Sequence, residues 1–192
     1  FVDHPFDNYF GFQLRKRPQF LLVSTVCSSY YQDLIEVIGH QDSLSRVLYH
    51  AMEEDGFETC EKRKNKAVIG GSFLPPEEIV ELAERSLSSC QLSLFFILSE
   101  EIEENKFKIS CSQALKEKLH ELGPFNKKDY IIIRGFLEPY IRRRKRQVFL
   151  KAFGQLCVDC YGPIPSKEVK ELAPAWSWLG EVKTTELNKK IS

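Results

Sequence analysis

A pair of adjacent glycines lies in the stretch NKAVIGGSFLPPEE, residues 65–78, between a β-branched run and two prolines. A phosphate-binding turn needs Gly-x-Gly-x-x-Gly or a closing Gly-Lys-Ser/Thr, and this stretch has neither pattern. The glycines instead favour a turn in which the backbone passes where a side chain would clash. Because the stretch is more apolar than a simple turn requires, it is also a candidate recognition loop. Its candidate partner-binding residues are Ile69, Gly70, Gly71, Phe73 and Leu74.

Two basic runs suggest a different chemistry, contact with phosphates. The first covers residues 62–66, and the second is RRRKR, residues 142–146. The candidate contact residues are Lys62, Arg63, Lys64, Arg142, Arg143, Arg144, Lys145 and Arg146. Such runs are usually solvated faces, and no aromatic interleaving or base-reading motif accompanies them. Nucleic-acid binding through a composite basic surface is therefore the alternative hypothesis, and RRRKR could also serve nuclear import.

Cys157 and Cys160 form a single CxxC pattern. A structural zinc site needs a second pair or two histidines, and a thioredoxin-type motif follows the first strand of its fold; neither condition is met. Two cysteines three positions apart near the end of a helix usually share a buried face, which is our expectation here. The six cysteines are not spaced as a small disulfide framework, so we expect reduced thiols and no metal site.

The acidic segment EEIEEN, residues 100–105, follows a predicted strand. Sites in α/β proteins collect at the carboxyl ends of parallel strands, so Glu100 or Glu101 could act as a catalytic carboxylate. An ordinary acidic surface loop is the favoured interpretation. The four histidines are scattered, and no Gly-x-Ser-x-Gly elbow exists. We therefore expect no catalytic residues, no cofactor and no enzymatic activity.

The elements that must position these residues alternate between strands and helices. Continuous apolar runs of strand length predict strands, and apolar residues at helical spacing behind capping residues or prolines predict helices. The predicted strands are FLLVSTVC (20–27), residues 57–60 with a continuation at 67–73, QLSLFFILS (91–99) and DYIIIRGFL (129–137). The predicted helices cover residues 42–56, 75–87, 111–122 and 139–162, and a shorter element follows at 166–182.

This order predicts a mainly parallel sheet, because each parallel neighbour requires a crossover. The expected fold class is α/β, a flavodoxin-like three-layer sandwich with an added C-terminal helical segment. Residues 1–19 are expected to form an arm that packs on the domain, and residues 20–192 a single domain with C-terminal helices from about residue 139. In the last long helix, the residues expected to be buried are Val148, Phe149, Ala152, Phe153 and Leu156.

Length and composition agree with one domain, since 192 residues, 43% of them hydrophobic, can bury a single core. Basic and acidic side chains number 27 each, so no net charge draws the chain toward nucleic acid, membranes or acidic substrates. No apolar run of about 18 residues and no signal-peptide pattern is present, which predicts an intracellular, cytoplasmic protein without membrane contact. The first residue is Phe1 rather than methionine, so we expect a piece of a larger protein.

The order of segments over residues 20–137 resembles the Toll/interleukin-1 receptor (TIR) domain. The likeness lies in FLLVSTV, DSLSRVLYHAMEEDGFETC, KNKAVIGGSFLPPEEIVELAERSLSSC and LSLFFILSEEI. The resemblance implies a flavodoxin-like signalling module whose loop after the second strand, residues 64–75 by position, contacts partners. Lys62, Arg63 and Lys64 replace the family's Arg-Asp before this loop, and its Trp and Glu after the third strand are missing, so no NAD-cleaving activity is implied. Other flavodoxin-like families, such as an inactive caspase-like domain, share this order.

Together these features predict a non-enzymatic protein–protein interaction domain within a larger signalling or scaffold protein. The contact surface would be the segment at residues 64–75, and the partner would be another protein or a second copy of the chain. The alternative is a nucleic-acid-associated module that uses residues 62–66 and 142–146.

Overall fold

The computed structural model describes residues 23–25, 45–47, 67–124 and 126–182, so the predicted arm at residues 1–19 lies outside the described part. In chain order the elements are β1 (Val23–Thr25), β2 (Ser45–Val47), β3 (Ala67–Gly70), α1 (Glu77–Ser86), α2 (Ser89–Glu104), α3 (Cys111–Leu122), α4 (Lys127–Phe153), β4 (Val158–Tyr161), α5 (Lys167–Glu171) and β5 (Trp176–Trp178). The protein is of mixed α/β class, as predicted. Among these helices, none has the length and continuous apolar character that crossing a membrane requires.

The chain divides into two compact units. The first unit contains residues 1–51 and 86–138, and the second contains residues 52–85 and 139–192. Helix α4 runs through the boundary, and Pro139 lies inside it at that point.

The second unit is built on three short parallel strands in the order β3, β4, β5. Ala67 lies opposite Val158 in the first pairing, and Val158 lies opposite Trp176 in the second. The buried core of this unit consists of Phe73, Leu150, Val158, Cys160, Val169, Ala173 and Trp176. The parallel pairing agrees with the prediction, although β4 and β5 were not among the predicted strands.

The first unit contains the packed helices α2 and α3 and the beginning of α4. Their buried apolar side chains are Leu94, Phe95, Leu98, Ile102, Ala114, Leu115, Leu119, Tyr130, Ile133 and Leu137. Along each helix these positions are adjacent or recur at intervals of three or four residues, which is the pattern that places one face toward a core. Strands β1 and β2 form a separate parallel pair, with Val23 opposite Ser45.

Two predicted strands are wrong, because residues 91–99 lie within α2 and residues 129–137 lie within α4. A continuous apolar run fits a buried helix as well as a buried strand, so the flanking residues determine which of the two forms. Ser88 and Gln91 form a capping box before α2, each side chain bonding the other's backbone N–H. Before α4, Asn126 Oδ1 accepts hydrogen bonds from the backbone N–H groups of Lys128 and Asp129, at 3.0 and 3.3 Å.

The predicted helix at 42–56 is wrong at Ser45–Val47, which pair with β1 as a parallel strand. The spacing of apolar residues along a segment does not show whether another strand will pair with it, and such pairing stabilises the extended form. The other residues of that helix and residues 57–60 lie outside the described part. The predictions at Val23–Thr25, at Ala67–Gly70 and of helices α1 and α3 are confirmed.

The predicted helix at 139–162 is wrong in its last third, since α4 ends at Phe153 and Val158–Tyr161 form β4. Gly154 marks the end of the helix. A Cβ atom at this glycine would lie 2.2 Å from the carbonyl oxygen of Leu172, so only glycine permits the close approach of these two segments. The Gly154 carbonyl accepts a hydrogen bond from Ala175 N at 3.1 Å. The chain therefore leaves the helix here and enters the sheet.

The five apolar residues expected to be buried in the last long predicted helix are exposed instead. They are Val148, Phe149, Ala152, Phe153 and Leu156. Leu150, at 1% exposure, is the side chain that this part of α4 contributes to the core. Helical spacing does not reveal that Leu150 is the buried side chain here, nor that the half-exposed Phe149 lies edge-on to the buried Trp176, with ring centroids 6.0 Å apart.

Candidate functional site

In NKAVIGGSFLPPEE, Gly70 is the last residue of β3 and Gly71 begins the turn to α1. This turn, residues 71–76, is called the β3–α1 turn. Gly71 N donates a hydrogen bond to Tyr161 O at 2.9 Å, which continues the pairing of β3 with β4 by one residue. Just beyond β4, Gly162 has a φ of +148°, and a Cβ there would lie 2.1 Å from Gly71 O. The glycines therefore allow two strand ends to approach each other closely.

Phe73 is the anchor of the β3–α1 turn. Its side chain is 6% exposed, and its ring lies edge-on to Trp176 and Trp178, with centroids at 5.6 and 5.7 Å. Ile69 is half-buried and packs against the same core. Both apolar side chains therefore contribute to the interior of the second unit.

Gly70 and Leu74 are the candidate partner-binding residues that lie at the surface, while Gly71 is half-buried. Leu74 is 39% exposed although its neighbour Phe73 is in the core. Single exposed apolar side chains are common at protein surfaces, so Leu74 alone does not define a binding patch.

Two arginines of the RRRKR run hold the β3–α1 turn. Arg143 Nη1 donates to Pro75 O at 2.6 Å and to Glu78 Oε2 at 2.8 Å. Arg146 Nη1 donates to Ser72 O, and its guanidinium lies 5.9 Å from the centroid of the Phe73 ring. Burial lowers the pKa of Arg146, and the neighbouring charges of Arg142 and Arg143 act in the same direction. The turn backbone is therefore bonded on both sides of Phe73.

The remaining basic residues of the run have different surroundings. Arg142 and Lys145 are exposed, and Arg144 Nη1 donates to Gln147 Oε1 at 2.8 Å. The run lies in the middle of α4 rather than at the start of a helix. Lys62, Arg63 and Lys64 lie outside the described residues, so the composite basic surface stays a prediction.

The CxxC cysteines do not share a buried helical face, so that expectation is wrong. Cys157 is exposed just before β4, and Cys160 is buried inside it. Burial raises the pKa of the Cys160 thiol to about 11, which disfavours the reactive thiolate form. In the parts of the chain that the structure describes, no group of three or more His, Cys, Asp or Glu residues is placed to hold a metal ion.

The acidic residues Glu100 and Glu101 lie in the second half of α2 and not in a loop after a strand. A catalytic carboxylate was expected at the carboxyl end of a parallel strand, and neither residue lies at such a position. Glu100 is exposed, and Glu101 is half-buried beside the buried face of the helix.

Sequence reasoning missed the residues that hold the site in place. Trp176 and Trp178 form β5 and contact Phe73, and Trp176 Nε1 donates to Phe153 O at 3.1 Å. The alternation Trp-Ser-Trp is a strand signal that could have identified β5. The roles of Arg143 and Arg146 as hydrogen-bond donors to the turn carry no comparable sequence signal.

Comparison of the chain with protein-family models, with curated protein sequences and with solved structures found no significant match. The likeness to TIR domains accordingly rests on the sequence segments quoted above. The proposed function below depends on the geometry of the β3–α1 turn in the second unit.

Proposed function

We propose that this chain is a protein-binding domain that contacts another protein through the β3–α1 turn. The observation that carries the proposal is the outward Leu74 on a turn whose backbone is bonded by Arg143 and Arg146. A contact loop that is already ordered loses little conformational entropy when it binds, so more of the contact energy contributes to affinity. Phe73 supports the surface from inside the core.

The same proposal includes a TIR-like signalling role, an intracellular location and a flavodoxin-like three-layer arrangement of helices and sheet. Parallel strands and a helix that follows Pro75 and Pro76 support the arrangement. Helices α2 and α4 count against it, because they occupy segments that this arrangement needs as strands.

The test is capture of partners by the full chain and by two matched variants, each with an acidic residue at an exposed leucine. Leu74→Asp changes the β3–α1 turn, and Leu82→Asp changes α1, where Leu82 is 51% exposed. We expect a set of proteins that the wild-type chain and Leu82→Asp retain and that Leu74→Asp loses, with unchanged circular dichroism for all three. Equal capture by both variants, or no reproducible partner of the wild-type chain, would contradict the proposal.

Nucleic-acid binding is the second candidate, supported by the exposure of Arg142 and Lys145. Two of the five basic side chains in the run already bond the turn, which reduces the charge available for phosphates. Replacing Arg142 and Lys145 by Gln should lower the salt dependence of binding by roughly one or two released counterions if this candidate is correct. Absence of binding at low salt would remove it.

A further inference from the structure

The second half of α4 presents an exposed face that changes from basic to apolar along the helix. Arg142 and Lys145 are exposed, and Phe149 and Phe153 follow at 38% and 43% exposure. The intervals of three, four and four residues place these side chains on one side of the helix. Lone apolar residues at a surface need no explanation, but adjacent aromatic rings, 4.8 Å apart between centroids, form a patch.

Helix α2 presents an exposed face with the complementary order. Phe96 and Ile97 are 43% and 50% exposed, and Glu100 and Glu104 are exposed one and two turns later. Phe96, Glu100 and Glu104 are spaced by four residues and share one side of the helix. This face therefore changes from apolar to acidic along the chain.

The two faces match when the helices run antiparallel. Phe96 to Glu104 spans about 12 Å of helix axis and Arg142 to Phe149 about 10.5 Å, at 1.5 Å per residue. In this alignment Phe96 and Ile97 lie against Phe149, Glu100 lies near Lys145, and Glu104 lies near Arg142. We propose that the chain self-associates, with α2 of one copy packed antiparallel on α4 of a second copy.

Pairing of identical helices does not satisfy these patterns. Two copies of α2 packed antiparallel would place Glu104 against Phe96, where the carboxylate loses hydration without a partner, and Glu100 against Glu100 of the other copy. Two copies packed parallel would bring like charges together. Of these pairings, that of α2 with α4 joins apolar with apolar and acidic with basic residues. None of the residues proposed for this contact belongs to the β3–α1 turn of the proposed function.

The test is sedimentation velocity over a range of protein concentrations with two charge-reversed proteins. One carries Glu100→Lys and Glu104→Lys, and the other carries Arg142→Glu and Lys145→Glu. We expect the wild-type chain to dimerise, and each variant alone to have its Kd raised about tenfold or more, which is about 1.4 kcal/mol. An equimolar mixture of the two variants should associate again, because α2 of each variant then meets α4 of the other variant with opposite charges.

A charge reversal at Glu81 and Glu84 of α1 is the control and should leave the dimer unchanged. Ile97→Gln, at a half-exposed position, tests the apolar part of the contact without a charge change and should also raise Kd. The proposal is overturned by a wild-type chain that stays monomeric, by charge-reversed variants that dimerise as the wild type does, or by a mixture that stays monomeric. Leu74→Asp should leave dimerisation intact, so failure of this inference is distinguishable from failure of the proposed function.

Discussion

Arg146 donates a hydrogen bond from Nη1 to the backbone carbonyl of Ser72, a residue 74 positions earlier in the chain. Arg143 makes an equivalent bond to the carbonyl of Pro75 at 2.6 Å. The most basic segment of the sequence is thus partly a structural support for the turn after β3. A run of charge that suggests phosphate binding can instead supply donors to carbonyl groups that no secondary structure satisfies.

Loss of the Arg146 side chain should destabilise the second unit. Arg146→Ala leaves the Ser72 carbonyl without this donor and removes the cation over the Phe73 ring, so we expect a loss of about 1 to 3 kcal/mol in the free energy of unfolding. Urea denaturation measures it. Lys151→Ala, at an exposed position of the same helix, should change the free energy of unfolding by no more than about 0.5 kcal/mol. Equal effects of both variants would show that the bond to Ser72 is unimportant.

Two glycine-to-alanine changes should have opposite effects on stability. Gly162→Ala places a Cβ 2.1 Å from Gly71 O at a φ of +148°, so the strand ends must separate and we expect a loss of at least about 1 kcal/mol. Gly135→Ala lies within α4, where a Cβ meets no atom within 4 Å, and should gain up to about 1 kcal/mol from helix propensity. Thermal unfolding of both variants gives the comparison. A harmless Gly162→Ala would contradict the close approach of β3 and β4 at this point.

The buried thiol of Cys160 should make stability depend on alkaline pH. Burial raises its pKa from 9.0 to about 11, because the thiolate loses hydration. Between these values the unfolded chain has released the proton and the folded chain retains it, so stability is fully present below pH 9 and falls as pH approaches 11. Cys160→Ala should show a shallower loss of stability over this range. Cys157→Ala, at an exposed position, should keep the wild-type slope; a steep slope in Cys160→Ala would assign the effect to other groups.

A buried polar network in the first unit should tolerate substitution poorly. Arg134, 3% exposed, donates from Nη1 to Tyr130 Oη at 2.9 Å and to Ser112 Oγ at 3.1 Å, and it pairs with Glu138 at 3.2 Å. Tyr130→Phe removes one acceptor from a buried guanidinium, which should cost about 1 to 3 kcal/mol in the free energy of unfolding. Ser93→Ala, on the exposed face of α2, is the control for chemical denaturation. A neutral Tyr130→Phe would mean that the remaining partners satisfy Arg134.

Local signals in the sequence account for the elements that were predicted correctly. Helix α1 begins after Pro75 and Pro76, which need no amide partner at a helix start. Helix α3 has Ser110 as its N-cap, and its leucines recur at helical spacing. Strand β3 is a β-branched run that ends at a glycine. In each case the residues that decide the structure lie within a few positions of it.

The wrong strand predictions fall on continuous apolar runs, in which neither helical nor alternating spacing is visible. QLSLFFILS and DYIIIRGFL fit a strand buried on both faces. The capping box of Ser88 and Gln91 nevertheless starts a helix at the first run, and Asn126 starts one just before the second. These capping residues favour a helix start over the strand that the apolar pattern predicts. For β4 the sequence signal is weaker still, because the end of α4 depends on how closely Gly154 approaches Leu172.

The amino-acid order was sufficient to establish a mixed α/β chain, to reject a phosphate-binding role for the glycine pair, and to recognise residues 67–75 as a strand followed by a turn. Those conclusions depend on backbone chemistry that acts over a few residues. Whether Phe73 points inward and Leu74 outward depends instead on Trp176, Trp178 and Arg146, which meet the turn from positions about 70 to 105 residues away in the chain. Contacts over such separations leave no period in the sequence, because they arise from packing of the folded chain.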